Sequence, residues 1–157
     1  MPIIRDENKR KEIVGLLTQA YWMEIETVQN YIAHSVNLDG VRAEEIKKSL
    51  AADVTEELGH AQQFAQRVKT LYGKVPGSGE FRSTQSFLQP PADNTDVVAV
   101  IKGVIQAEQG AIDHYMKIIE VTAEADPVTA DMVTTILADE EGHMRLFEGF
   151  LREYEKR

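Results

Sequence analysis

Between Pro2 and Pro76 the chain holds no proline, and apolar side chains return there at steps of three and four. Only a helix puts residues at those steps on one face; a strand would need alternation with a period of two. The same spacing resumes after the prolines at 76, 90 and 91, so the pattern defines four long segments. The expected helices run from about Glu7 to Val36, Ala43 to Tyr72, Asp96 to Glu124, and Pro127 almost to the end. Asn37 to Gly40 (NLDG) and Gly73 are the expected stops of the first two. Asp93, Asn94 or Thr95 is the expected N-cap of the third. Asp126 takes that role for the fourth, with Pro127 in the first turn, where proline is tolerated. Helices of roughly 28 residues are about 40 Å long. Residues 73–95 (GKVPGSGEFRSTQSFLQPPADNT) form the one long connection. Short links make antiparallel neighbours, and a link of about 20 residues can run the length of a bundle. The expected fold is all-α: an antiparallel four-helix bundle with one long crossover between helices two and three, in a single domain over residues 1–157.

Each apolar stripe is broken near its middle by a carboxylate. Helix one reads Ile13, Leu17, Ala20, Glu24, Val28, Tyr31, Ser35, and helix two Ile46, Leu50, Asp53, Glu57, His60, Phe64, Val68, Leu71. Helix three reads Val97, Ile101, Val104, Glu108, Ala111, Tyr115, Ile118, and helix four Val133, Ile136, Glu140, His143, Phe147, Leu151, Tyr154. A buried charge without a partner is costly. Four glutamates at one depth repel each other, and two histidines can pair with at most two of them. Two divalent cations neutralise all four. In Glu57-x-x-His60 and Glu140-x-x-His143 the two side chains lie one turn apart on one face, so an oxygen and a nitrogen can reach the same ion. The candidate metal ligands, which are also the candidate catalytic residues, are therefore Glu24, Glu57, His60, Glu108, Glu140 and His143. One Glu from each of two helices plus Glu-x-x-His from each of the others is the general pattern of di-iron and di-manganese carboxylate bundles.

The two halves repeat this design. Glu24 to Tyr31 and Glu108 to Tyr115 are each seven residues apart, and Glu24 to Glu57 is 33 residues against 32 for Glu108 to Glu140. Tyr31 and Tyr115 are thus placed to hydrogen-bond ligating carboxylates from outside the coordination sphere. Asp53, one turn before Glu57, reads as a polar residue at the bundle edge. Glu56 and Glu141 fall off the stripes and read as surface charges, as do His34 and His114. Trp22 adjoins Glu24 on a different face.

Cysteine is absent from the 157 residues, so a disulfide framework and thiolate ligands are excluded. The formal charge of −9 argues against nucleic acid as a partner and suits the attraction of cations. The N-terminal MPIIRDENKRKEIV lacks the apolar block of a signal peptide, and no window has eighteen consecutive apolar residues. The expectation is a cytoplasmic protein with no membrane partner.

Taken together, Glu24-Ile-Glu-Thr-Val-Gln-Asn-Tyr31, Glu56-Glu57-Leu-Gly-His60, Glu108 with Tyr115, and Asp139-Glu140-Glu141-Gly-His143 resemble the ferritin-like superfamily, and within it the bacterioferritin branch. The resemblance covers nearly the whole chain. It implies two irons per subunit, with manganese or zinc as possible occupants. Glu57 and Glu140 would bridge, Glu24 and Glu108 would be terminal ligands, and each histidine would serve one iron. It implies oxidation of Fe(II) by O2 or H2O2, for storage or detoxification, in a homo-oligomer. Bacterioferritins bind haem through a methionine directly after the helix-two glutamate; Leu58 stands there, so no haem is expected. The chain ends 14 residues after His143, short of the fifth helix of 24-subunit ferritins. A 12-subunit cage, as in Dps-like mini-ferritins, is expected at least as much as the 24-subunit one, with a dimer as a further form. The alternatives to a ferroxidase are a rubrerythrin-like di-iron peroxidase, a di-manganese or mixed-metal oxidase, and a metal-free structural bundle.

Overall fold

The structure is a computed structural model that describes residues 2–156. Its long helices are α1 (Glu7–Asn37), α2 (Glu44–Thr70), α3 (Val97–Thr122) and α4 (Pro127–Glu155), and no strand occurs among the described residues. Short 3-10 turns precede α2 at Val41–Ala43 and punctuate the crossover at Ser78–Glu80 and Ser86–Leu88.

The helix ends follow local chemistry. The Asp6, Asp96 and Asp126 carboxylates cap α1, α3 and α4 by accepting from the backbone N–H groups of Lys9, Ala99 and Thr129. For α3 this corrects the expectation of Asp93, Asn94 or Thr95. Asp93 instead accepts from the Thr95 N–H and hydroxyl one turn earlier, which leaves Asp96 at the cap. Helix α2 ends in a paired-bond turn: Tyr72 N–H donates to the Lys69 carbonyl and Gly73 N–H to Val68. Tyr72, not Gly73, takes the left-handed conformation, with φ 66°. Glycine is required at 73 for a different reason, since a Cβ there would sit 2.6 Å from Val14 Cγ1 and 2.9 Å from Val68 Cγ1.

Helix α1 packs on α2, α3 on α4, and α1 also meets α3. Contacts run in opposite residue order across α1/α3 (Tyr31 with Glu108, Tyr115 with Glu24) and across α2/α4 (Arg67 with Asp126, His60 with Asp139), so both pairs are antiparallel. The crossover therefore brings α3 in parallel to α2, as a link running the bundle's length must. It lies against α3 closely enough that a Cβ at Gly103 would be 2.7 Å from the Phe87 carbonyl. Two apolar clusters fill the bundle, one around Leu17, Phe64, Tyr115 and Ile136, the other around Tyr31, Leu50, Ile101 and Phe147. The charged residues of the stripes lie between them.

Candidate metal centre

The structure brings Glu24, Glu57, His60, Glu108, Glu140 and His143 together, all buried, with exposures from 1 % to 8 %. They fall into two overlapping groups of four, Glu24–Glu57–His60–Glu140 and Glu57–Glu108–Glu140–His143, whose ligand atoms lie within 4.8 Å of one another. Glu57 and Glu140 belong to both. Helix α1 provides Glu24, α3 provides Glu108, and α2 and α4 each provide a Glu-x-x-His pair, so every ligand sits on a rigid element.

The hydrogen bonding is cross-braced. Tyr31 Oη donates to Glu108 Oε1 at 2.7 Å, and Tyr115 Oη donates to Glu24 Oε1. Each tyrosine holds one oxygen of the glutamate from the other half. The second oxygens, Glu24 Oε2 and Glu108 Oε2, have no hydrogen-bond partner. The histidines are arranged likewise. His60 Nε2 contacts Asp139 Oδ2 at 2.9 Å, and His143 Nε2 contacts Glu56 Oε2 at 2.8 Å. Their Nδ1 atoms face inward, 3.1 Å from Glu140 Oε1 and 3.3 Å from Glu57 Oε1, without the alignment of a hydrogen bond.

Electrostatics reflect the crowding. Burial and then the charges of neighbouring glutamates, Glu24 foremost, push the Glu57 and Glu140 carboxyls well above the usual range. Burial would do the same to Glu108, but the neighbouring Glu140 carboxyl and His143 imidazole, with the hydrogen bond from Tyr31, hold it low. Burial alone would lower both imidazoles. Carboxylate partners outweigh it and carry His60 up to about 11 and His143 to about 10. Tyr31 and Tyr115 are raised by burial and by the glutamate charges around them. Without a metal, the cluster keeps protons to limit its own repulsion.

Several residues sit differently from the sequence expectation. Asp53 is not an edge residue. It is 8 % exposed, its Oδ1 lies 3.4 Å from His143 Nε2, and burial raises its carboxyl to about 6. Glu56 is exposed as expected, yet reaches His143. His34 is not at the surface: it is 1 % exposed and its Nε2 lies 2.8 Å from the Leu88 carbonyl of the crossover. The inward stripe steps three residues from Tyr31 to His34, not four to Ser35, because the crossover covers that side of α1. His114 is half-buried against the Leu16 carbonyl at 2.9 Å. Glu26, a residue the stripes did not single out, is 3 % exposed. Its carboxylate accepts from the N–H groups of Thr84 and Gln85 and from the Thr84 hydroxyl. No intrahelical spacing signals that role, since its partners are 58 and 59 residues away.

Carboxylate-histidine pairs on two helices and single glutamates on the other two form a cluster that could hold metal ions, in the pattern of carboxylate-bridged helical metal centres. The ferritin-like domain model matches residues 14–157, and the chain belongs to that family. It is similar to the bacterioferritin of Desulfovibrio desulfuricans, 24 % identical over 143 residues, covering 90 % of this chain and 75 % of that one. It is also similar to the DNA protection during starvation protein of Pyrococcus furiosus, 27 % identical over 144 residues, covering 90 % and 77 %. Among solved structures it resembles the dodecameric thioferritin, a bacterioferritin-related protein, of Bacteroides fragilis. That likeness has a TM-score of 0.83 and 24 % identity over 94 % of this chain and 88 % of that one. No helix among the described residues is long and apolar enough to cross a membrane.

Proposed function

We propose that this protein is a ferroxidase that takes up two Fe(II) ions per subunit and passes their electrons to O2 or H2O2. The reading rests on one observation. Glu24 Oε2, Glu57 Oε1, His60 Nδ1, Glu108 Oε2, Glu140 Oε1 and His143 Nδ1 are all buried without a hydrogen-bond partner, and they belong to two compact groups. Buried polar atoms are normally paired. Six orphans of these chemical types fit two borderline cations held by oxygen and nitrogen.

Bound iron supplies the redox chemistry, one electron from each ion. The chain's residues set the geometry. Glu57 and Glu140, common to both groups, would be shared between the two ions. Glu24 and Glu108 each offer one oxygen while a tyrosine fixes the other. Asp139 and Glu56 hold the outer histidine nitrogens, which leaves the inner lone pairs for the metal. Glutamates and imidazoles that shed protons on loading keep the cluster close to neutral in both states. The formal charge of −9 draws Fe(II) toward the protein. The family's iron role and the relatives' printed descriptions support a homo-oligomer that stores or detoxifies iron within the cell.

The test is anaerobic Fe(II) addition to metal-free protein, followed by O2 or H2O2, reading ferric absorbance. A break at two irons per subunit is expected, and Glu57→Ala with His60→Ala removes it. Rapid oxidation that survives the double change would show the site assignment to be wrong.

A further inference from the structure

A cavity lies outside the bundle core, between α1, α3 and the crossover, with a volume of about 440 Å³. That is within the roughly 300–1,000 Å³ of small-molecule clefts. Trp22 and Phe87 supply the aromatic lining, and Phe81 packs against Trp22 from outside the cavity with ring centroids 5.0 Å apart. The floor is Ala107 and Gly110 of α3, and Arg82 stands on the rim. We propose that this cleft binds a planar aromatic acid, with its ring system against Trp22 and its carboxylate or sulfonate on Arg82.

Three features carry this. The roof is preformed: Glu26 accepts from Thr84 and Gln85, Gln85 donates to Thr27, and Asn30 donates to Gln85, so the crossover is pinned to α1 beside the cavity. A pinned roof cannot collapse into the cavity, which lowers the ordering cost of binding. The floor is kept low: Gly110 sits in mid-helix, where glycine is unfavourable, yet a Cβ there would meet nothing within 4 Å. Packing within this chain therefore does not require the glycine, and a larger side chain there would project into the open space of the cleft. The lining holds one cation, Arg82, beside the acids Glu26 and Glu80. Glu26 is committed to three donors, while Arg82 makes no ion pair among the described residues. Glu80, the other acid there, is exposed to solvent. A guanidinium fork matches a carboxylate or sulfonate and also stacks on aromatic faces.

Trp22 is the chain's one tryptophan, so its emission reports the cleft directly. The probe is anilinonaphthalene sulfonate, added to the full-length protein as purified, with neutral N-phenylnaphthylamine as comparator. Saturable energy transfer from Trp22 at one probe per chain is expected. Gly110→Leu fills the floor and should weaken binding more than about tenfold. Arg82→Gln should weaken the sulfonate two- to fivefold, the size of a part-exposed charge contact, and leave the neutral comparator unchanged. Thermal melts check that Gly110→Leu folds. Gly110→Ala, which favours the helix, carries the same test with an expected loss of about threefold. The proposal is overturned by absence of saturable transfer, or by unchanged affinity in the folded glycine variants. Equal loss of both probes in Arg82→Gln overturns the anionic ligand. Probe binding that appears only after dissociation of the assembly would make this face a contact between copies, and also overturns it.

Discussion

Replacing Glu57 and Glu140 together by glutamine separates a metal centre from a structural polar core. Both residues belong to both ligand groups, so the double change leaves Glu24 with His60 and Glu108 with His143, two ligands per ion where there were four. In wild type, a divalent ion at 100 times its Kd stabilises by roughly 2.7 kcal/mol, or about 5 kcal/mol for two ions. In a domain of this size each kcal/mol moves Tm by about 2–4 °C, so metal should raise wild-type Tm by about 10–20 °C. In the variant the rise should be under about 3 °C. The metal-free comparison has the opposite sign. The folded carboxyls are raised above their ordinary 4.5, so above that pH the folded chain binds more protons than the unfolded one. Metal-free wild type therefore loses stability as pH rises, and the neutral amides remove the share of that dependence that belongs to these two carboxyls. The metal-free variant should be at least as stable as wild type at pH 7. Calorimetry with Zn(II) or Mn(II), which avoid oxidation, reads both numbers. A variant several kcal/mol less stable without metal, beside a wild type indifferent to metal, would refute the reasoning and make these carboxylates structural.

Four further outcomes are expected. Loading two divalent ions at pH 7 should release at least two protons per chain, from imidazoles that stand at about 11 and about 10, and apparent affinity should rise with pH; proton release in weak buffer measures both. Asp139→Asn and Glu56→Gln should each lower metal affinity about 10- to 100-fold while leaving the metal-free fold intact, as read by metal titration and circular dichroism. Glu26→Ala should destabilise by about 1–3 kcal/mol in denaturant melts, because it leaves the buried Gln85 N–H and the part-buried Thr84 N–H without their acceptor. It should also speed hydrogen exchange at Thr84 and Gln85. Burial lowers His34 and His114 from their ordinary 6.5, so below that pH the unfolded chain takes up more protons. Their contribution to stability is lost as pH falls through that range, and His34→Gln should flatten the acid limb of a Tm-against-pH curve.

The four helices were legible because their signals are local. Stripes at steps of three and four, an aspartate before Pro127 and the turn residues at 37–40 each act within a few positions. Glu24, Glu57, Glu108 and Glu140 stood out because each interrupts an apolar line that burial alone would keep apolar. What spacing could not show was set by the crossover. His34 is buried only because Leu88 arrives beside it, and Glu26 only because Thr84 and Gln85 do. The outer partners of the histidines escaped for a related reason. Glu56 and Asp139 are surface residues by helical position, and their role depends on α2 and α4 meeting antiparallel. The N-cap of α3 was misplaced because four consecutive residues there, Asp93 to Asp96, can all cap, and the choice falls to the turn that Asp93 closes.

The crossed tyrosines also bear on the order in which the molecule comes together. Tyr31 reaches Glu108 across 77 residues of chain, and Tyr115 reaches Glu24 across 91. Contacts so distant in sequence close late, after the entropy of a long loop has been overcome. A nascent chain that has finished only its first hairpin presents Glu24, Glu57 and His60 without the two residues that complete their group or the phenol that orients Glu24. Such an intermediate is a poor chelator. If the cluster binds iron as proposed, this order of assembly would delay metal capture until both hairpins have docked, so that a half-made subunit would not gather reactive iron at an unshielded site.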